Sequence, residues 1–293
     1  MNLPMSGPAR RQGRTGVYLP LLPMLALLLF ALAGPALMLA FYSLWTQQGV
    51  NLDTTPSLNQ YAAVLTRDGY RTLFLRSIGI AAMVTLASLL LAYPMAYYVA
   101  FHTKRGKFLW LLLLTIPFWT SYLLRIFAWK VILGYNGVLN SALLSLHLIA
   151  QPLEFLLYNR AAVVLTLTHA FAAFAILPLY VSLEKIDRSL LDAAADLGDG
   201  PWRRFLRVTL PLSLPGVIGA GVLIFVPVAG DYLTPTLVGG TDGVMIANLI
   251  QVQFGRAGNW PLGAALALTT MALVAALAAL AAKGLKRAVG AIK

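Results

Sequence analysis

Apolar positions in this chain fall in long unbroken blocks, separated by short polar stretches, and not in the alternation of a half-buried strand. A bilayer-crossing helix needs about 20 mostly apolar residues. The blocks predict six such spans: Val17 to about Leu44, about Thr72 to Phe101, Phe108 to about Leu124, about Ala161 to Leu183, about Pro215 to Val238, and about Leu262 to Ala282. Pro23, Pro35, Pro94, Pro117, Pro178 and Pro227 lie inside them. Soluble helices would break there, but neighbouring helices in a membrane resatisfy the freed backbone groups. A membrane barrel would show short alternating segments of roughly ten residues, and none occur.

The remaining segments are shorter. Residues from about Thr46 to Arg71 read as a small ordered cap. Arg125 to Ala150 carries apolar stretches too short to span, so an interfacial or re-entrant helix is expected. Trp119, Trp129 and Tyr135 suit the headgroup level. Composition agrees: 59% hydrophobic and 11% charged residues, with a mean hydropathy of +0.78, leave too little polar surface for a water-soluble enzyme. The 293 residues contain no cysteine, so disulfides, thiol catalysis and cysteine metal sites are absent.

The net charge of +12 raises nucleic acid as a partner, but its distribution points to a membrane surface. Arg10, Arg11 and Arg14 precede the first span, and Lys104, Arg105 and Lys107 join the second to the third. Lys185, Arg188, Arg203, Arg204 and Arg207 join the fourth to the fifth, and Lys283, Lys286, Arg287 and Lys293 follow the sixth. The other side holds Arg67, Arg71, Arg160 and Arg256, with Arg76, Arg125 and Lys130 near helix ends. Basic residues stay cytoplasmic, so both termini are expected there, and the partner is membrane lipid with no nucleic acid. Arg10 to Arg14 and Ala31-Leu32-Ala33 imitate a cleavable signal peptide. A signal core is about 7–15 residues, whereas this run continues to Leu44, so the first span is read as retained.

The domain plan is thus a tail (1–16), a first helix (17–45), a periplasmic loop (46–71), a core (72–282) with a cytoplasmic loop at about 184–214, and a second tail (283–293). That loop holds the densest charge cluster, yet Leu190, Leu191, Ala194 and Leu197 recur at helical spacing. Asp187 or Ser189 can cap a helix start and Gly198 can end it. A second short helix is expected near Pro201, which is pre-set for a first turn. The prediction is two short helices bent at Gly198-Asp199-Gly200, with alanines that let another surface approach closely.

Asp192-Ala193-Ala194, Gly198 after three residues, and Val208-x-Leu210-Pro211 after nine more resemble the EAA signature of bacterial ABC-importer permeases, Glu-Ala-Ala-x3-Gly-x9-Ile-x-Leu-Pro. Asp192 stands for Glu and Val208 for Ile. Gly230-Asp231-Tyr232-Leu233-Thr234-Pro235-Thr236-Leu237-Val238-Gly239-Gly240, Met245-Ile246-Ala247-Asn248-Leu249-Ile250, Gln253-Phe254 and Asn259-Trp260-Pro261-Leu262-Gly263-Ala264-Ala265 are similar to permeases of spermidine/putrescine importers. So is Pro117-Phe118-Trp119-Thr120-Ser121-Tyr122-Leu123-Leu124-Arg125 with Ala128-Trp129. The resemblance implies an all-α, six-helix type I ABC-importer permease that pairs with a second related permease. It also implies two ATPases beneath and a periplasmic binding protein above. It assigns ATPase coupling to Asp192, Ala193, Ala194, Leu197, Gly198, Val208, Leu210 and Pro211.

The chain has no chemistry of its own in view. No Gly-x4-Gly-Lys-Ser/Thr loop occurs, so no bound ATP and no cofactor is expected. His102, His147 and His169 are scattered, which argues against zinc. His169, within the fourth span, reads as a packing residue, with a role in the substrate path as the alternative. Asp231 is the one acid inside a predicted span, where a lone charge costs about 2.5–3.5 kcal/mol or more, so it should face a partner or a wet cavity. It either counters a cationic ligand, with Tyr232, Trp129 or Tyr122 adding cation–π attraction, or pairs with Arg125, Lys130 or a backbone donor. Gly216, Gly219 and Gly221 read as helix-contact residues. The rival classes are a secondary transporter or channel and an assembly scaffold. Within the importer class a polyamine is favoured over an opine, an amino-acid derivative or a phosphonate.

Overall fold

The computed structural model describes residues 22–49 and 51–290, and the basic N-terminal cluster lies outside them. Helix α1 (Leu22–Ser43) is followed by a small hairpin, β1 (Thr46–Gln48) paired antiparallel with β2 (Asn51–Asp53), and by α2 (Asn59–Thr66). The hairpin and α2 form the ordered cap expected between the first two spans. Tyr61 closes it by donating its hydroxyl proton to Ser43 Oγ (2.8 Å). Beneath it Val64, Phe74, Ile246, Leu262, Ala265 and Leu266 bury a satellite core.

The main core lies between α3 (Asp68–Tyr97), α7 (Arg160–Glu184) and α10 (Leu210–Ala229), where Ile80, Val84, Leu167, Leu179 and Ile224 are wholly buried. α7 and α10 approach closely at Gly216. A Cβ there would lie 2.5 Å from Ser182 Cβ and 2.6 Å from the Pro178 carbonyl oxygen. The Gly216 N–H instead donates to Ser182 Oγ, and that hydroxyl donates to the Ser213 carbonyl. Gly219 meets nothing within 4 Å and Gly221 makes only ordinary contacts with Thr85 and Leu89, so of the three glycines Gly216 alone is a tight seam. The last helix, α13 (Trp260–Gly290), carries α1 on its flank. α1 exposes Phe30 and Leu32 almost fully, as a helix lying against lipid does.

Five helices among the described residues are long and apolar enough to cross a membrane, and two of the six predicted spans are broken. Phe108 to Leu124 is not one helix. α4 (Lys107–Thr115) gives way to a 3-10 turn (Ile116–Trp119), and α5 (Tyr122–Leu133) starts afresh. Pro117 has no N–H to donate back into α4, which stops at nine residues and tightens into the 3-10 turn while Ile116 itself stays helical. Pro215 to Val238 is also interrupted. α10 begins earlier, ends at Ala229, and is separated by Gly230-Asp231-Tyr232 from α11 (Leu233–Val238). Within 125–150 lie the rest of α5 and α6 (Val138–Ser145), and Asn140 ties them to the following loop through the backbone of Leu153.

Candidate functional site

Two regions stand out, at opposite ends of α10. The first is the 184–214 loop. Asp187 caps α8 (Arg188–Asp196) by accepting from the Ser189 N–H (3.0 Å). Because this amide and then the Ser189 hydroxyl favour the ionised form, the Asp187 carboxyl is held below its usual range. At the other end Gly198 takes the left-handed conformation (φ +85°). Its N–H donates to Ala195 O and the Asp199 N–H to Ala194 O, the paired bonds of a Schellman stop. α9 (Pro201–Arg204) then leads through a π-helical turn (Phe205–Thr209) directly into α10. Arg207 pairs with Asp199 across the bend at 3.2 Å. The two-helix, bent handle read from the sequence is therefore present.

Its surface is apolar where soluble loops are polar. Leu197 is 88% and Trp202 70% exposed, while Leu190 and Leu206 are also uncovered. Asp192 and Ala193 lie on the open side and Ala194 is buried against the chain. Val208, Leu210 and Pro211 are half-buried, at the root of α10.

The second region is the break after α10. Tyr122 donates its hydroxyl proton to Asp231 Oδ2 (2.8 Å), and with that proton spent its oxygen accepts from the Thr234 hydroxyl (2.7 Å). The Leu233 N–H donates to Asp231 Oδ1 (3.0 Å). Such side chain-to-backbone bonding competes with continued helix, which explains why Asp231 sits in a break and not inside a span. Asn248, in α12 (Ile246–Phe254), fixes the same segment. Its amide donates to the Tyr232 carbonyl and to Thr236 Oγ1, both at 2.8 Å, and its oxygen accepts from Met245 N–H.

Of these groups Tyr122, Asp231, Tyr232 and Leu233 line a cavity of about 410 Å³ with Phe118, Arg125, Phe171 and Phe174. Arg125 does not pair with Asp231. It donates to the Ala170 carbonyl (3.0 Å), and its guanidinium carbon lies 5.8 Å from the Tyr122 ring centre. Ala170 is about 15 Å along α7 from Arg160 at 1.5 Å per residue, which is half of a hydrocarbon core about 30 Å thick. Tyr232 borders both this cavity and a second one of about 570 Å³ beside α13. Trp129 is not brought to Asp231. It packs on His169 (5.5 Å between ring centres) in a separate cavity of about 400 Å³. Thr234 and Asn248 escaped the sequence reading of this site. No local spacing marked either one: Thr234 bonds Tyr122, 112 positions away, and Asn248 bonds the Tyr232 carbonyl, 16 positions away.

No family model matches the chain. Among known proteins it is similar to the spermidine/putrescine transport system permease protein PotB of Haemophilus influenzae, 34% identical over 250 residues, covering 85% of this chain and 87% of that one. PotB of Escherichia coli K12 is 38% identical over 200 residues, covering 68% and 72%. The inner membrane ABC transporter permease protein YdcU of the same organism is 33% identical over 257 residues, covering 83% and 81%. The fold matches a chain of a bacterial ABC transporter involved in the import of the acidic polysaccharide alginate, with a TM-score of 0.71 at 17% identity, covering 93% of this chain and 96% of that one. It also matches the inward-facing MetNI methionine ABC transporter, at 0.53 and 15%, covering 78% and 100%. At those identities the structural likeness speaks for the fold alone. The chain is a multi-pass protein of the bacterial inner membrane, and it belongs to the family of PotB-type ABC-importer permeases.

Proposed function

We propose that the chain forms half of the membrane path of an ATP-driven importer for a small polycation such as spermidine or putrescine. A second related permease supplies the other half, two ATPases bind at the 184–214 loop, and a periplasmic binding protein delivers the solute. The observation that carries this reading is 34% identity to a spermidine/putrescine permease over 87% of its length. The chain itself contributes no nucleotide chemistry, so hydrolysis belongs to the partner ATPases. Both termini lie on the ATPase side, and the broken 107–133 segment supplies the sixth crossing.

Force enters through the handle. Asp192, Ala193, Ala194 and Gly198 shape the surface that docks on an ATPase, with Leu197 as the apolar knob. Val208, Leu210 and Pro211 set how the handle joins α10. Closure of the ATPases on ATP displaces the handle, which moves α7 and α10 and exposes the cavity to the outer side.

In the cavity Asp231 meets the cation. An ionised carboxylate offers about four acceptor positions, and Tyr122 and the Leu233 N–H occupy two, so two remain for an ammonium group. Tyr232 adds an aromatic face. The nearby Arg125 guanidinium offsets the attraction, as a path must release what it admits. The test is uptake of radiolabelled spermidine by proteoliposomes holding the assembled importer. Uptake that requires ATP and falls in Asp231→Asn supports the reading. Uptake driven by an ion gradient without nucleotide overturns it.

A further inference from the structure

The handle joins α7 to α10 in sequence, but in space both of its ends are fastened to a third helix, α3. α3 ends in a π-helical turn (Tyr98–His102), whose last carbonyls have no further turn to bond. Arg188, the first residue of α8, fills that gap by donating to the carbonyls of Ala100 and Phe101, both at 3.4 Å. Lys107 donates to the same Ala100 carbonyl (3.1 Å) while its ammonium pairs with Glu184 at 2.8 Å, at the last turn of α7. Cations at a helix C-terminus are favoured by the dipole as well as by the bonds. At the far end of the handle Phe205 lays its ring against Tyr93 (5.7 Å, edge-on) and Tyr97 (6.3 Å) of α3. Tyr93 in turn hydrogen-bonds Ser213 of α10 at 2.7 Å.

We infer that α3 is a third driven helix, and that Arg188 and Phe205 are the positioning residues through which the handle moves it. Both fastenings sit against π-helical turns, Tyr98–His102 and Phe205–Thr209, where the wider ring of backbone bonds lets a helix change register locally. The handle and the inner end of α3 therefore travel together, and register change in the two turns absorbs the mismatch with the rest of the bundle. α3 packs along both α7 and α10, so moving it with them carries all three walls of the main core. The inference rests on the proposed docking of the handle on an ATPase.

The experiment uses the assembled importer. The chain has no native cysteine, so Lys104→Cys and Ser189→Cys, both at exposed positions, accept a clean spin-label pair across the α3–α8 junction. Distances are read in the nucleotide-free and vanadate-trapped states. The expected result is one unchanged distance in the parent and a state-dependent distance in Arg188→Gln. Uptake per ATP hydrolysed should fall roughly 5-fold or more in Arg188→Gln, the scale of ordinary coupling energies, and recover in Arg188→Lys, which keeps a charged donor. ATPase co-purification and basal hydrolysis should be unaltered. A parent distance that changes on trapping, or unaltered uptake per ATP in Arg188→Gln, overturns the inference. Loss of the ATPase from Arg188→Gln overturns it too, by making Arg188 a docking residue. If the ATPase fails to co-purify with the parent chain, the docking reading itself falls and carries this one with it.

Discussion

Gly198→Ala isolates the bend of the handle from everything else. A Cβ at Gly198 would meet nothing within 4 Å, so the substitution adds no collision. The cost comes wholly from the backbone, because φ of +85° is left-handed and costs an L-residue roughly 1–2 kcal/mol. That energy lowers the ratio of bent to opened handle by a factor of about 5–30. The Asp199 amide, bonded to Ala194 O only when the bend is closed, reports the ratio directly. Its hydrogen-exchange protection in detergent should fall by the same factor while the spanning helices keep theirs. Gly200 is the control: it lies two residues on, is equally open, and has extended geometry (φ −67°, ψ 167°) that any residue adopts. Gly200→Ala should be neutral, and Gly198→Asn should retain most protection, since asparagine tolerates the left-handed region. Equal protection in Gly198→Ala and the parent, or equal loss in Gly200→Ala, would refute the argument.

Other outcomes follow from the same geometry. Gly216→Ala should destabilise the solubilised chain by about 1–3 kcal/mol, because it overpacks the seam at Ser182 and Pro178, whereas Gly219→Ala should leave thermal unfolding unaltered. Tyr122→Phe removes both hydroxyl contacts, to Asp231 and Thr234, and should raise KM for spermidine more than it lowers the maximal rate; a pure loss of folded protein would contradict the positioning role. Gly198→Asp tolerates the same left-handed geometry but puts a charge on the proposed docking face, so it should abolish uptake while the permease still inserts, as judged by membrane fractionation. The Asp187 carboxyl is depressed by the Ser189 amide and hydroxyl, so its capping contribution is complete above its ordinary value of 3.8 and is lost as pH falls through the lower folded value. Exchange of the first α8 amides measured against pH should show that loss, and Asp187→Asn should flatten it.

How much could be read beforehand differs between the two regions for a physical reason. The handle is local. Asp187, Gly198 and Pro201 act on residues within four positions of themselves, so cap, stop and restart are written in order along the chain. The cavity is assembled from distant segments. Tyr122 and Asp231 are 109 positions apart, and no periodicity announces their bond. The separation of Trp129 from Asp231 was equally invisible, since aromatic type says nothing about which side of α7 a ring will occupy.

The amino-acid order by itself determined that this is a helical membrane protein with a bent polar-and-apolar handle, because bulk hydropathy and short-range backbone chemistry need no partner from elsewhere in the chain. Only the tertiary structure decided which glycine is a true seam and which groups surround Asp231. Those outcomes depend on bonds and clearances between segments that meet after folding, where a few tenths of an ångström separate contact from collision. The fastening of Arg188 and Phe205 to α3 belongs to the same class, since neither residue carries any local mark of the helix it touches.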